Sequence, residues 1–85
     1  MKEYVILTAK HCPSCEALKR YIPEGGKFRY MDVSESLEAA RIAKVLGVMA
    51  VPTIVVLDKE NNKMCILDDK FRPQRCVDSA SLDST

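Results

Sequence analysis

The chain has no Trp, one His, three Gly and only five Phe or Tyr residues in 85. A stacking surface for nucleic-acid bases is hard to build from so few rings. An excess of one charge is also missing: 13 Lys and Arg stand against 12 Asp and Glu, a net charge of +1 with both signs scattered. That balance gives no electrostatic reason to expect nucleic acid or a membrane surface as partner. No apolar run approaches the roughly 18 residues of a membrane span, and the N-terminal one is far shorter than a secretory core. A cytoplasmic protein is expected. In that compartment thiols stay reduced unless they are catalytic or bind metal, so the four Cys are expected to work.

The length allows one domain, residues 1–85, with about 77–85 expected to fray. Tyr4-Val5-Ile6-Leu7 predicts a first strand over 3–8, apolar enough to be covered on both faces. Cys12 to Ile22 reads as a helix, with Pro13 in the first turn and Ala17, Leu18, Tyr21 and Ile22 as its apolar face. Pro23 and Gly25-Gly26 end it. Residues 27–33 alternate as a second strand, with Phe28, Tyr30 and Val33 on one side. Ser34 or Ser36 caps a second helix that packs through Leu37, Ala40, Ile42, Val45 and Leu46 and stops at Gly47. Thr53-Ile54-Val55-Val56-Leu57 is the most β-prone run, and Lys63 to Leu67 returns antiparallel as its hairpin partner. Residues 68–75 read as loop, and a short, weak helix follows near Cys76 to Leu82. The order β-α-β-α-β-β predicts an α/β fold with a mixed four-stranded sheet.

The stretch His11-Cys12-Pro13-Ser14-Cys15 sits where the first strand hands over to a helix. Unpaired N–H groups and the helix dipole there favour a Cys12 thiolate, the nucleophile of disulfide exchange. Lys10 and His11 stand beside it. Cys15, one turn on, is placed to resolve a mixed disulfide and is expected to be the more buried, higher-pKa thiol. Zinc is the competing chemistry, giving a non-catalytic metal-binding or assembly module, because the same spacing serves four-ligand sites. Cys65 and Cys76 lack the spacing of a second zinc pair. Cys65 reads most simply as a small core residue, and Cys76 as exposed. A regulatory or resolving disulfide between these two, or between chains through Cys76, stays open.

Cys12-Pro13-Ser14-Cys15, followed in order by Val51-Pro52-Thr53, resembles the thioredoxin/glutaredoxin superfamily over about residues 3–67. The run Gly47 to Val55 is similar to small archaeal and bacterial thioredoxin-like glutaredoxins. The resemblance implies a compact thioredoxin fold and a protein disulfide oxidoreductase with a redox-active Cys12/Cys15 pair. It also implies a cis bond at Val51-Pro52, and a substrate surface of Lys10, His11, Pro13, Val51, Pro52 and Thr53. Expected partners are disulfide-containing proteins, with thioredoxin reductase or glutathione as electron source. No metal or organic cofactor is implied, and a monomer is expected.

The chain departs from the pattern in three places. His11 replaces the thioredoxin Trp, and Ile6 stands where thioredoxins carry an acidic proton acceptor. The glutaredoxin Gly-Gly-Asp is Leu67-Asp68-Asp69-Lys70 here, which leaves only Asp68 and Asp69 to meet a glutathione amine and favours thioredoxin reductase. Phe71-Arg72-Pro73 is similar to a run in NrdH-redoxins, the electron donors to class Ib ribonucleotide reductase. A plain alternative makes Phe71 a cap over the core edge.

Overall fold

Alternation along Tyr4-Val5-Ile6-Leu7 sends Val5 and Leu7 to one face of a sheet and Tyr4 and Ile6 to the other. Both faces are covered: Val5, Ile6 and Leu7 are fully buried. The structure, a computed structural model, describes residues 2–82. Its elements run β1 (Lys2–Thr8), α1 (Pro13–Tyr21), β2 (Phe28–Asp32), α2 (Leu37–Leu46), β3 (Thr53–Asp58), β4 (Lys63–Leu67) and β5 (Pro73–Asp78), then a 3-10 turn at Ser79–Leu82. The sheet order is β2-β1-β3-β4-β5. β1 pairs parallel with β2 and antiparallel with β3, and the β3–β4 and β4–β5 pairs are antiparallel. The thioredoxin-like architecture expected from the sequence is present, with one strand more than the four predicted.

One sheet face carries Val5, Leu7, Val55 and Met64 against Ala39, Ile42 and Leu46 of α2. Ser36 caps this helix, its Oγ accepting the Ala39 N–H. Gly47 ends it with φ 71°, a left-handed position that favours glycine. The other face carries Ile6, Ile54, Val56, Cys65 and Leu67, with Leu18 of α1 and Ile22, its C-cap, packed on them. α1 covers only part of this face. Tyr4, Phe28 and Phe71 form a ring cluster there, with centroids 5.5–6.3 Å apart. Phe71 thus acts as the cap over the core edge.

Several expectations need correction. Residues 73–78, read as loop and weak helix, form an edge strand, and the helix shrinks to the 3-10 turn. Val33 packs with the α2-side cluster, away from Phe28 and Tyr30, because odd and even positions of a strand point oppositely. Ala17 and Tyr21 are exposed, so the apolar face of α1 narrows to Cys15 and Leu18, extended by its C-cap Ile22. Leu37 is also exposed, and Ala39 takes its place in the core. Residues 83–85 of the expected frayed tail lie outside the described residues, while 77–82 are strand and turn.

Candidate active site

Pro13 opens α1, which makes Cys12 its N-cap in extended conformation. The Cys12 carbonyl accepts the Cys15 and Glu16 amides at 3.1 and 3.2 Å, and its Sγ accepts the Cys15 N–H at 3.1 Å. A sulfur at this point faces free donor groups and the positive end of the helix. Cys15, a turn further in, is 2 % exposed, whereas Cys12 is half-buried. The two are joined as a disulfide with Cα atoms 5.2 Å apart. His11 holds φ 56° just before the pair, turning the chain out of the sheet.

The segment after α2 returns to the same spot. The Val51-Pro52 bond is cis, as the resemblance implied, and Val51 O lies 4.0 Å from Cys12 Sγ. Thr53 turns its hydroxyl back onto Ala50 O at 2.6 Å, so it braces the 50–53 turn. Sequence-distant Cys12, Pro13, Val51 and Pro52 are therefore neighbours around one sulfur. Lys10 forms an ion pair with Glu35 at 3.2 Å, both side chains well exposed.

Two clefts flank the dithiol. A polar one of about 280 Å³ is lined by Lys10, His11, Cys15, Lys19, Tyr30 and Asp32 among others. An apolar one of about 190 Å³ runs along Ala9, Val33, Ala43, Val48, Ala50 and Val51. Asp32 is held below its ordinary value, first by the Ser34 hydroxyl and amide that donate to it, with a contribution from Lys10. Tyr30 is raised, by burial first and then by Glu24; its hydroxyl donates to Ile22 O. Tyr30, Asp32, Lys19 and the apolar cleft were not anticipated. The one available signal for the cleft was the apolar run Val48-Met49-Ala50 ahead of Pro52, whose Met49 is 95 % exposed. Ile6, standing where thioredoxins carry an acidic residue, is wholly buried in the cluster on which Leu18 and Ile22 pack.

Comparison with protein-family models matches Glutaredoxin over residues 4–60. The chain belongs to the glutaredoxin family. Comparisons with curated proteins and with solved structures return no significant match. The family match includes both Cys12-Pro13-Ser14-Cys15 and Val51-Pro52-Thr53, and supports a thiol–disulfide redox role for this glutaredoxin domain. It ends before Cys65 and Cys76.

Away from the dithiol, the glutathione-amine role considered for Asp68 meets a competitor. Its Oδ1 accepts the Lys70 and Arg72 amides at 2.9 and 2.8 Å. Its Oδ2 accepts Arg72 Nε and Gln74 Nε2 at 3.1 and 3.0 Å. Asp68 closes its own loop, which holds Phe71 over the ring cluster. Cys65 is buried as expected, but it is bonded to Cys76 rather than packed as a free thiol. Among the described residues no group of three or more His, Cys, Asp or Glu is arranged to hold a metal, and no helix is long and apolar enough to cross a membrane.

Proposed function

We propose that this glutaredoxin-family chain reduces disulfides in other proteins. The observation that carries the reading is the asymmetry of the pair: Cys12 half-buried at the helix N-terminus, Cys15 buried behind it. In the reduced chain, Cys12 thiolate attacks one sulfur of the substrate disulfide. The other substrate sulfur departs as a thiolate and takes a proton. Cys15, after losing its proton, attacks Cys12 in the mixed disulfide, releasing the second substrate thiol and leaving the Cys12–Cys15 disulfide. Two electrons pass from the chain to the substrate, sulfur to sulfur, so the reaction needs no bound metal or organic cofactor.

The surrounding residues serve these steps. The Cys15 amide donates toward the attacking sulfur, which stabilises it as a thiolate. The Val51 main chain, with Pro52, offers an edge on which an extended substrate segment pairs beside the disulfide. Lys10, His11 and Pro13 border the same mouth. With Ile6 in place of a carboxylate, the proton of Cys15 leaves through the polar cleft that it lines with Asp32 and Tyr30. The loop-bound Asp68 favours thioredoxin reductase over glutathione as electron source. A monomer working in a reducing cytoplasm fits this chemistry.

Insulin disulfide reduction tests the reading. Turnover with NADPH and thioredoxin reductase, faster than with glutathione and glutathione reductase, is expected. Stoichiometric zinc on the reduced chain with no turnover would instead establish a metal-binding or assembly module. A faster glutathione couple would make the chain a glutathione-linked redoxin, and efficient reduction of oxidised class Ib ribonucleotide reductase would identify that enzyme as the substrate.

A further inference from the structure

We infer that Cys65 and Cys76 form a second redox site, and that its state sets the shape of the loop leading to Pro52. Cys65 is buried in β4; Cys76, directly opposite it in register, is exposed on the edge strand β5. An external thiolate therefore reaches this disulfide through Cys76. β5 is held weakly by packing: along Pro73–Asp78 only Val77 is half-buried, and it rests on the α2-side core. The disulfide is the covalent tie between this strand and the sheet.

Next to Cys76 and on the opposite face, Arg75 reaches across to the end of α2. A Cβ built on Gly47 would lie 3.2 Å from its Nη1, so the guanidinium rests on the residue that ends the helix. The helix C-terminus concentrates negative partial charge, which the cation complements. Gly47 also begins the 47–52 segment whose Val51 O lies 4.0 Å from Cys12 Sγ. Opening the disulfide frees β5, withdraws Arg75 from Gly47 and loosens the segment that forms one wall of the candidate active site.

The exchange balances with any dithiol reductant. Its thiolate attacks Cys76 Sγ, and Cys65 leaves as a thiolate and takes a proton. The reductant's second thiol then closes its own disulfide and releases Cys76 as a thiol. The Cys12/Cys15 dithiol of a second copy belongs to the right chemical class, and only this choice of electron donor rests on the function proposed above. Within one chain the pairs are separated: Cys65 faces Val56, roughly 10 Å along β3 from Thr53 at ~3.3 Å per residue.

The test uses the Cys12→Ser/Cys15→Ser double variant, which keeps the second pair and has no reductase function to lose. It is equilibrated over a series of reduced-to-oxidised dithiothreitol ratios, and free thiols are trapped with a maleimide. Reversible opening is expected while far-UV circular dichroism still reports a folded chain, with faster amide hydrogen exchange in β5 and at Val48, whose N–H donates to Ala43 O. Arg75→Ala in the same background, disulfide closed, should accelerate exchange at Val48 several-fold and leave β5 protected. A disulfide that opens only on global unfolding overturns the redox site. Unchanged exchange at Val48 on opening, or in Arg75→Ala, overturns the coupling.

Discussion

Cys12 and Cys15 share a disulfide and differ in everything around it. The first caps a helix and meets solvent; the second is buried one turn further in, at the wall of the polar cleft. Cys12→Ser is expected to lower insulin reduction at least about 100-fold, as loss of a covalent nucleophile does. Cys15→Ser keeps the attacking sulfur but leaves it trapped, so a mixed disulfide with substrate should accumulate and be visible by mass spectrometry. Asp68 gives a pH-dependent counterpart. Its carboxylate is held below the ordinary value, first by the Arg72 amide, then by the Lys70 amide and the Arg72 side chain. A group depressed in the folded chain stabilises above its unfolded value, and that contribution fades as pH falls through the folded one. The Asp68 carboxyl should therefore titrate by NMR below 3.8, with protection of the Lys70 and Arg72 amides lost over the same acidic range. Among these residues the dithiol was legible because its spacing and place between strand and helix are local properties. The use of Asp68 was not, since four donors from three residues meet it only once the loop has closed.

Elements with strong local signals formed where the sequence predicted them. α2 carries a capping serine, an acidic first turn and a glycine stop, three cues that act within one turn of the helix ends. Ser36→Ala should cost about 1 kcal/mol in urea unfolding. Gly47→Ala should cost about 1–2 kcal/mol for its left-handed backbone. Its methyl group comes to 3.2 Å from Arg75 Nη1, the far end of an exposed side chain that can give way, so repeating the substitution in an Arg75→Ala background should change that cost little, which a double-mutant cycle measures. β5 went unread for the opposite reason. Pro73-Gln74-Arg75-Cys76-Val77-Asp78 offers no apolar alternation, and its strand conformation comes from pairing with β4, a tertiary cause. The same holds for α1, whose sequence suggests a broad apolar face although a nine-residue helix over half a sheet buries only a narrow one.

At the scale of the molecule, the family match covers residues 4–60, and the chain then adds two strands, β4 and β5, and the covalent tie between them. The Cys65–Cys76 disulfide closes a loop of 11 residues in sequence separation, worth about 3 kcal/mol by the entropy it removes from the unfolded chain. Cys65→Ala/Cys76→Ala should lower the unfolding free energy by about that amount, measured by urea denaturation with Cys12 and Cys15 oxidised in both proteins. Because the tie acts on β5 and, through Arg75, on the segment after α2, the variant should keep its five-residue pairings between β1 and β2 and between β3 and β4, visible as retained amide protection there.

The interior place of β1, between β2 and β3, has a consequence for synthesis. The ribosome makes this strand before the other four, yet its antiparallel neighbour β3 ends at Asp58, about fifty residues later. At ~5–20 residues per second, roughly 3–10 s pass before β3 has been made. During that interval the most apolar strand of the nascent chain has at most β2 beside it. Cys12 and Cys15 are translated well before the sheet can close, and Cys76 arrives last. The order of translation thus gives the redox pair a period of exposure to thiols and oxidants that the finished fold withdraws from Cys15.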